Sequence, residues 1–178
     1  AGRLEIKTTE AMTAAVPDTE DHHFAAAAIS RLVSLAGERD VVAIGPGVGP
    51  NPETAGLMCE LAKLIEQPLI VDADGLNAFA GEPGLTSILK SRSAATVLTP
   101  HPGEAARLLG LTSPEINRDR VSAARKLAAA TGSVVLLKGA GTVVSAPDGQ
   151  LAINPTGGPE LSAGGTGDVL TGLLAAFM

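Results

Sequence analysis

The chain has 178 residues, a formal net charge of −6 and a single cysteine. Its length suffices for one domain with a hydrophobic core, and its acidic balance argues against a nucleic-acid partner, which would need a basic surface. One cysteine excludes an intrachain disulfide and a cysteine-based metal cluster, and no apolar run reaches the roughly 20 residues of a membrane span. We therefore expect one domain, residues 1–178, in a reducing cytoplasm, with no membrane partner.

Both ends of the sequence suggest a fragment. Residue 1 is not methionine, and the last helical pattern runs to Met178 without a stop signal. We expect a domain that is truncated at both ends.

Four short apolar runs predict buried strands of a mostly parallel sheet. They are Val41–Ile44, Pro68–Val71, Ala94–Leu98 and Ser133–Leu137. Apolar residues at helical spacing precede the first run and separate the others. They predict helices over Phe24–Ala36 and Asn117–Ala130, a helix that begins at Pro52 and a short helix that ends at Gly110. A Pro-Asp-Gly turn at 147–149 joins two further strands into a hairpin. Alternating strands and helices indicate an α/β fold.

The strongest functional signal is the glycine turn Gly164–Asp168, which opens directly onto an apolar helix. Glycines let the backbone approach a ligand closely, and a helix start directs unpaired N–H groups and partial positive charge at an anion. Asp168 would repel a phosphate that is only bound. It suits phosphoryl transfer, in which a carboxylate accepts a hydroxyl proton. The alternative is an ordinary turn, with Asp168 complementing the helix dipole.

Each predicted strand ends in a polar or glycine-rich loop. These loops are Gly45–Gly49, Asp72–Asn77, Thr99–Glu104 and Lys138–Thr142. Ligands of open α/β sheets bind at the carboxyl edge of the strands. The loops therefore predict a binding site at that edge, although each loop also has a simple role as a turn.

Some polar residues leave two interpretations open. Asp72 and Asp74, two residues apart, could hold Mg²⁺ through water or form loop hydrogen bonds. His101 and Glu104 share a face of a helix start, where the carboxylate could hold hydrated Mg²⁺; alternatively, His101 could cap the helix and Glu104 could complement its dipole. The adjacent histidines at 22 and 23 are interpreted as a solvated loop rather than a metal site.

Five motifs in this order resemble a known family. They are GPGVG at 45–49, VDADGLN at 71–77, LTPHPGE at 98–104, LKGAGT at 137–142 and GGTGDVLTG at 164–172. They resemble the ADP/ATP-dependent NAD(P)H-hydrate dehydratases, the carbohydrate-kinase-domain family of the ribokinase-like fold. The resemblance implies a mostly parallel sheet with helices on both faces. It also implies Mg²⁺ and a reaction in which ADP or ATP phosphorylates the hydrate, after which phosphate elimination restores NADH or NADPH.

The resemblance also implies roles for individual residues. Asp168 would be the base and would touch the hydrate together with Gly49 and His101, while Glu104 falls at a magnesium motif of ribokinase-like enzymes. The residues implied in nucleotide binding are Lys138, Gly139, Ala140, Gly141, Thr142, Gly165, Thr166 and Gly167, the last three through an anion hole of backbone amides. The sequence departs from the family before the glycine turn, where Glu160 adds a negative charge and Ala163 lacks a hydroxyl.

Two other functions remain open at this stage. One is a ribokinase-like kinase acting on a vitamin precursor such as a hydroxymethylpyrimidine or hydroxyethylthiazole, and the other is a non-catalytic nucleotide-binding module. The choice between ADP and ATP, the choice between NADH- and NADPH-hydrate, and homo-oligomerisation are also open.

Overall fold

A six-stranded sheet organises the protein in a computed structural model that describes residues 11–80 and 85–178. Its strands are β1 (Val42–Ile44), β2 (Leu69–Val71), β3 (Thr96–Leu98), β4 (Val134–Leu137), β5 (Thr142–Ser145) and β6 (Leu151–Asn154), and they lie side by side in chain order. The first four are parallel, whereas β5 and β6 add an antiparallel hairpin. The predicted strands and hairpin are confirmed.

Eight α-helices belong to the described part of the chain. They are α1 (Ile29–Gly37), α2 (Pro52–Leu64), α3 (Asp74–Ala78), α4 (Leu85–Lys90), α5 (Pro102–Leu109), α6 (Ser113–Arg118), α7 (Arg120–Thr131) and α8 (Thr166–Phe177). Several begin at a side-chain cap: the Asn51 side chain accepts hydrogen bonds from the N–H groups of Glu53 and Thr54 at the start of α2. None of these helices is long and apolar enough to cross a membrane.

Two predicted helices have different bounds in the structure. The helix predicted over Phe24–Ala36 begins only at Ile29, because Phe24 forms an isolated β-bridge and a 3₁₀ turn occupies Ala26–Ala28. The helix predicted over Asn117–Ala130 is divided at Asp119, where φ is −145° and the backbone leaves the helical region. The Asp119 carboxylate then caps α7 by accepting a 2.9 Å hydrogen bond from the Ser122 N–H.

The two faces of the sheet are covered differently. The parallel strands step in one direction along the sheet, and right-handed crossovers therefore place their connecting helices on one face. Val71, Leu98 and Leu137 point into the main core on that face. Ile70 and Val97 alternate with them and are buried outside that core, on the face where α8 packs against β1 and β2. Helices therefore lie on both faces, as predicted. Helix α8, which follows the glycine turn, packs on the face opposite the connecting helices.

Candidate active site

The glycine turn presents free backbone donors to solvent. Gly165 has φ 90°, a left-handed conformation that suits glycine, and it is the N-cap of α8. In the described part of the chain, no backbone carbonyl accepts from the N–H groups of Gly165, Gly167 or Asp168. A β-carbon built on Gly164 or Gly165 would meet no atom within 4 Å. The turn thus offers open space lined by unpaired donors at a helix start, which is the geometry of an anion site.

Thr166 contributes to this turn differently from its neighbours. Its N–H donates to the Ala163 carbonyl at 3.4 Å, and its hydroxyl lies 2.9 Å from the same carbonyl oxygen. The hydroxyl is also 3.0 Å from the Leu161 carbonyl oxygen. Thr166 therefore holds the preceding 3₁₀ turn, Pro159–Ser162, in place, and its amide is less available to a ligand than those of Gly165 and Gly167.

Asp168 lies in the first turn of α8 with its side chain exposed. None of the described residues donates a hydrogen bond to its carboxylate. The position complements the helix dipole, and the lack of a partner also leaves the carboxylate available to a ligand's hydroxyl group. The structure thus accommodates both interpretations of Asp168 made from the sequence.

The loop Lys138–Thr142 connects β4 to β5 at the same sheet edge. Gly139 and Gly141 have φ 142° and 64°, and the Thr142 hydroxyl donates to the Gly139 carbonyl at 3.0 Å. Lys138 is anchored by its N–H, which donates to the Pro100 carbonyl at 2.8 Å. The loop is a tight turn whose conformation depends on its glycines.

The Arg120 side chain, at the start of α7, contacts the backbone of this loop. The sequence did not indicate this role. Its Nη2 donates to the carbonyls of Leu137 at 2.9 Å and Lys138 at 3.3 Å. A β-carbon on Gly139 would lie 2.9 Å from Arg120 Nη1. Burial lowers the pKa of the Arg120 guanidinium, which nevertheless stays charged at neutral pH. No local pattern distinguishes Arg120 from the other basic residues nearby, because its role depends on how α7 packs against the loop.

The Gly45–Gly49 loop is joined to the loop after β2. The Gly49 N–H donates to Asp74 Oδ2 at 3.0 Å, and the Asn77 side chain donates to Asp74 Oδ1 at 3.4 Å. Arg107 Nε donates in turn to Asn77 Oδ1 at 2.8 Å, which connects this network to α5. For Asp74, the loop hydrogen bonding weighed from the sequence is therefore what the structure contains.

His23 also reaches this loop, contrary to its interpretation as a solvated residue. A β-carbon on Gly49 would lie 3.5 Å from His23 Nδ1, and the side chain is only partly exposed. The His23 N–H donates to the Thr19 hydroxyl at 3.1 Å, and its carbonyl accepts from the Thr19 N–H at 2.8 Å. This tight turn at 19–23 brings the imidazole to the loop, and no motif in the sequence indicated it.

His101 and Glu104 form a reciprocal capping box at the start of α5. His101 Nδ1 accepts from the N–H groups of Gly103 at 2.9 Å and Glu104 at 3.3 Å. Glu104 Oε2 accepts from the His101 N–H at 2.7 Å, and Oε1 lies 3.2 Å from His101 Nε2. The Glu104 side chain is only 6% exposed, whereas that of His101 is 51% exposed. The capping role of His101 is therefore realised: the cap uses Nδ1 and places Nε2 beside Glu104, while half of the side chain stays exposed.

Asp72 and Asp74 face different surroundings. Ala73 between them has φ 49° and ψ −123°, so the segment is not extended and the two carboxylates do not share a direction. Asp72 is 2% exposed and forms a 2.8 Å ion pair with the Lys138 ammonium group. The described residues contain no group of three or more His, Cys, Asp or Glu side chains arranged to hold a metal. The pair of aspartates therefore does not form the magnesium site considered from the sequence.

The sheet and its edge define the class of protein. A parallel α/β sheet extended by a hairpin, with a glycine turn opening a helix at its carboxyl edge, is the arrangement of a ribokinase-like domain. A ribokinase-like protein from Enterococcus faecalis superposes with a TM-score of 0.72 at 26% identity, covering 99% of this chain and 56% of that one.

The chain belongs to the NAD(P)H-hydrate dehydratase family, whose sequence model matches residues 3–178. It is 47% identical over 176 residues to the bifunctional NAD(P)H-hydrate repair enzyme Nnr of Moorella thermoacetica, covering 99% of this chain and 33% of that protein. The ADP/ATP-dependent NAD(P)H-hydrate dehydratase of Bacillus subtilis, co-crystallised with ATP and Mg²⁺, superposes with a TM-score of 0.68 at 33% identity. That match covers 83% of this chain and 51% of the Bacillus chain. This chain thus spans about a third of the curated relative and about half of the solved one.

Proposed function

We propose that the protein is an ADP- or ATP-dependent (S)-NAD(P)H-hydrate dehydratase, a hydro-lyase that repairs hydrated NADH and NADPH. The observation that carries the proposal is the glycine turn. Free N–H groups of Gly165 and Gly167 open α8 beside the Lys138 ammonium group, and Asp168 lies in the same helical turn with an exposed carboxylate. Family membership and the Bacillus relative support the choice of substrate.

The proposed reaction has two steps. Asp168 accepts the proton of the hydrate's hydroxyl group as that oxygen attacks the terminal phosphoryl group of the nucleotide, and the amides of the turn hold the phosphoryl oxygens. The P–O bond to ADP or AMP breaks, according to whether ATP or ADP is the donor. The C–O bond of the phosphorylated hydrate then breaks, inorganic phosphate leaves, and the adjacent ring carbon loses a proton to solvent, so that the electron pair of its C–H bond restores the nicotinamide double bond.

The two ligands would occupy different loops of the same edge. We assign the nucleotide to the turn at 164–167 and to the loop Lys138–Thr142, where Ala140 and Thr142 complete the binding segment. We assign the hydrate to Gly49, His101 and Asp168. The hydrogen-bonded series Gly49–Asp74–Asn77–Arg107 supports this second group, since it connects the Gly49 loop to the helix that His101 caps.

Mg²⁺ is proposed to arrive with the nucleotide, as in the Bacillus relative co-crystallised with ATP and Mg²⁺. The described residues do not form a metal cage of their own, and both oxygens of Glu104 are engaged by His101. Mg²⁺ commonly retains several waters and binds largely through phosphate oxygens. Water-mediated binding of Mg²⁺ by Glu104 stays a prediction, and no step above depends on it.

We further propose that residues 1–178 form part of one ribokinase-like domain and that the protein works in the cytoplasm without a nucleic-acid partner. The net charge of −6 supports the expectation of no nucleic-acid partner. The single cysteine is consistent with a reducing compartment.

The test is the recovery of NADH absorbance from purified NADH-hydrate by the full-length protein, with ADP, with ATP and without nucleotide. The proposal expects recovery only when a nucleotide is present. Nucleotide consumption on a hydroxymethylpyrimidine or hydroxyethylthiazole, with no recovery from the hydrate, would favour the vitamin-precursor kinase. Binding of ADP without turnover of either substrate would favour the non-catalytic module.

A further inference from the structure

A buried carboxylate joins three strand ends to α8. Asp72 Oδ1 accepts hydrogen bonds from Lys138 Nζ at 2.8 Å and from the Thr99 hydroxyl at 2.7 Å. Its Oδ2 accepts from the Thr171 hydroxyl at 3.1 Å. Thr99 and Thr171 are buried, and Asp72 is 2% exposed. Three protein side chains therefore donate hydrogen bonds to this buried carboxylate.

Strand alternation explains why these side chains converge. Asp72, Thr99 and Lys138 lie two residues beyond Ile70, Val97 and Leu136, which point towards the α8 side of the sheet. The polar cluster therefore continues this face past the ends of β2, β3 and β4. It lies beneath the first turns of α8.

The same cluster lies against the glycine turn. A β-carbon on Gly167 would be 3.6 Å from Asp72 Oδ2 and 3.7 Å from Lys138 Nζ. Thr171 follows Asp168 by three residues on α8, so the two are neighbours one helical turn apart. One carboxylate thus holds both a cation beside the anion site and the helix that carries the free N–H groups.

We propose that Asp72 is a positioning residue of the phosphoryl-transfer site and that it acts through Lys138 and Thr171. The inference rests on the function proposed above. Through Lys138, Asp72 fixes an ammonium group beside Gly167. Through Thr171, one turn further along α8 than Asp168, it holds the start of the helix in place and so orients the Gly167 N–H and the Asp168 carboxylate towards the same phosphoryl group.

Elementary chemistry explains why a carboxylate serves here. A lysine ammonium group is a point charge on a flexible stem with three donor hydrogens. Asp72 uses one of the three and restricts the stem, leaving two for phosphate oxygens without a further ordering cost on binding. A buried ion pair contributes little net stability by comparison with apolar packing. The arrangement is therefore better explained by placement of the charge than by fold stability.

The first experiment compares Thr171→Val with Thr171→Ser in the full-length protein. Valine keeps the shape but removes the hydroxyl group, whereas serine restores it. A displacement of about 1 Å at a reacting centre can cost about 10²-fold in rate, so we expect kcat of Thr171→Val to fall at least about tenfold. The KM for the hydrate should change by less than about twofold, and Thr171→Ser should recover most of kcat.

The second experiment is a double-mutant cycle with Asp72→Asn. Asp72 is proposed to act on α8 through Thr171, so Thr171→Val should cost much less kcat in the Asp72→Asn background than in the wild type. Multiplicative losses would contradict a shared action through Asp72. Melting curves of all variants identify any loss that comes from unfolding at the assay temperature.

The outcomes separate this inference from the function on which it rests. Wild-type protein that restores no NADH with either nucleotide would overturn the proposed function. Active wild type, with Thr171→Val and Thr171→Ser equal in kcat and differing only in melting temperature, would overturn the positioning role alone.

Discussion

At the scale of single residues, two opposite charges near the glycine turn have different surroundings. The Lys138 ammonium group is paired with buried Asp72, whereas the exposed Asp168 carboxylate has no partner among the described residues. A cation that is already placed can stabilise phosphate charge, and a carboxylate without a partner can accept a proton. The proposed function therefore gives the two groups different roles in the same phosphoryl transfer.

Replacing Asp168 by asparagine separates catalysis from helix stabilisation. General-base contributions are typically about 10² to 10⁴-fold in rate, so we expect kcat of Asp168→Asn to fall by at least about 10²-fold. Nucleotide affinity should hold or rise, since a negative charge near the phosphates is removed. A variant with nearly wild-type kcat and a stability loss of about 1 kcal/mol or less would reduce Asp168 to a dipole partner.

His101 has a capping role that must be separated from ligand binding. Asparagine is a strong N-cap residue, so His101→Asn should retain the start of α5 while removing the imidazole. We expect it to weaken hydrate binding more than nucleotide binding, with little change in melting temperature. His101→Ala should show the same binding defect and lose about 1 kcal/mol of stability in addition. Equal hydrate affinity of His101→Asn and wild type, measured by KM, would confine His101 to capping.

At the scale of elements, the site depends on loops that are held by neighbouring helices. The loop Lys138–Thr142 lies on the Arg120 guanidinium of α7, and the Gly45–Gly49 loop is tied to the loop after β2. The sequence indicated these loops because parallel strands end at one edge of a sheet, and the segments that follow the predicted strands contain glycine, acidic residues and lysine. It did not indicate Arg120 or His23, because each acts through tertiary packing that no local pattern encodes.

Gly139 tests the support that α7 gives to the loop Lys138–Thr142, the proposed nucleotide-binding segment. Alanine at this position would combine a left-handed φ of 142° with a β-carbon 2.9 Å from Arg120 Nη1. We expect Gly139→Ala to lose about 1–3 kcal/mol of stability and to weaken ADP binding measured by calorimetry. Gly56→Ala is the matched control, because a β-carbon at Gly56 meets nothing within 4 Å inside helix α2. The control should gain about 0.5–1 kcal/mol, and a Gly139→Ala variant that behaves in the same way would contradict the account.

At the scale of the whole molecule, the order of the strands decides which residues meet. Short apolar runs sufficed to predict the four parallel strands, since buried strands need continuous apolar sequence, and the Pro-Asp-Gly turn at 147–149 predicted the hairpin. The break at Asp119 was not predicted, because one capping carboxylate outweighed a continuous helical pattern. The pairing of Asp72 with Lys138, 66 residues apart, was not predicted either, because it requires knowing that β2, β3 and β4 are neighbours.

The ion pair between buried Asp72 and Lys138 makes the stability of the protein depend on pH. Burial would raise the pKa of Asp72, but hydrogen bonds from Lys138 and Thr99 and the charge of Lys138 lower it below its ordinary value. The contribution of Asp72 to stability is therefore present above its pKa in the unfolded chain, about 3.9. It is lost as the pH falls through the lower pKa of the folded protein. We expect Asp72→Asn to lower the melting temperature at neutral pH and the difference from wild type to shrink below about pH 4. A difference that grows on acidification would contradict this ion pair.

The proposed function requires that NAD(P)H-hydrate be repaired through a phosphorylated intermediate at the glycine turn. The most direct test measures inorganic phosphate and NADH together during turnover of NADH-hydrate by the full-length protein with ADP or ATP. The account predicts one phosphate released for each NADH restored, with AMP or ADP formed in equal amount. NADH formed without nucleotide consumption, or nucleotide consumed by phosphorylation of the hydrate without NADH formation, would contradict it.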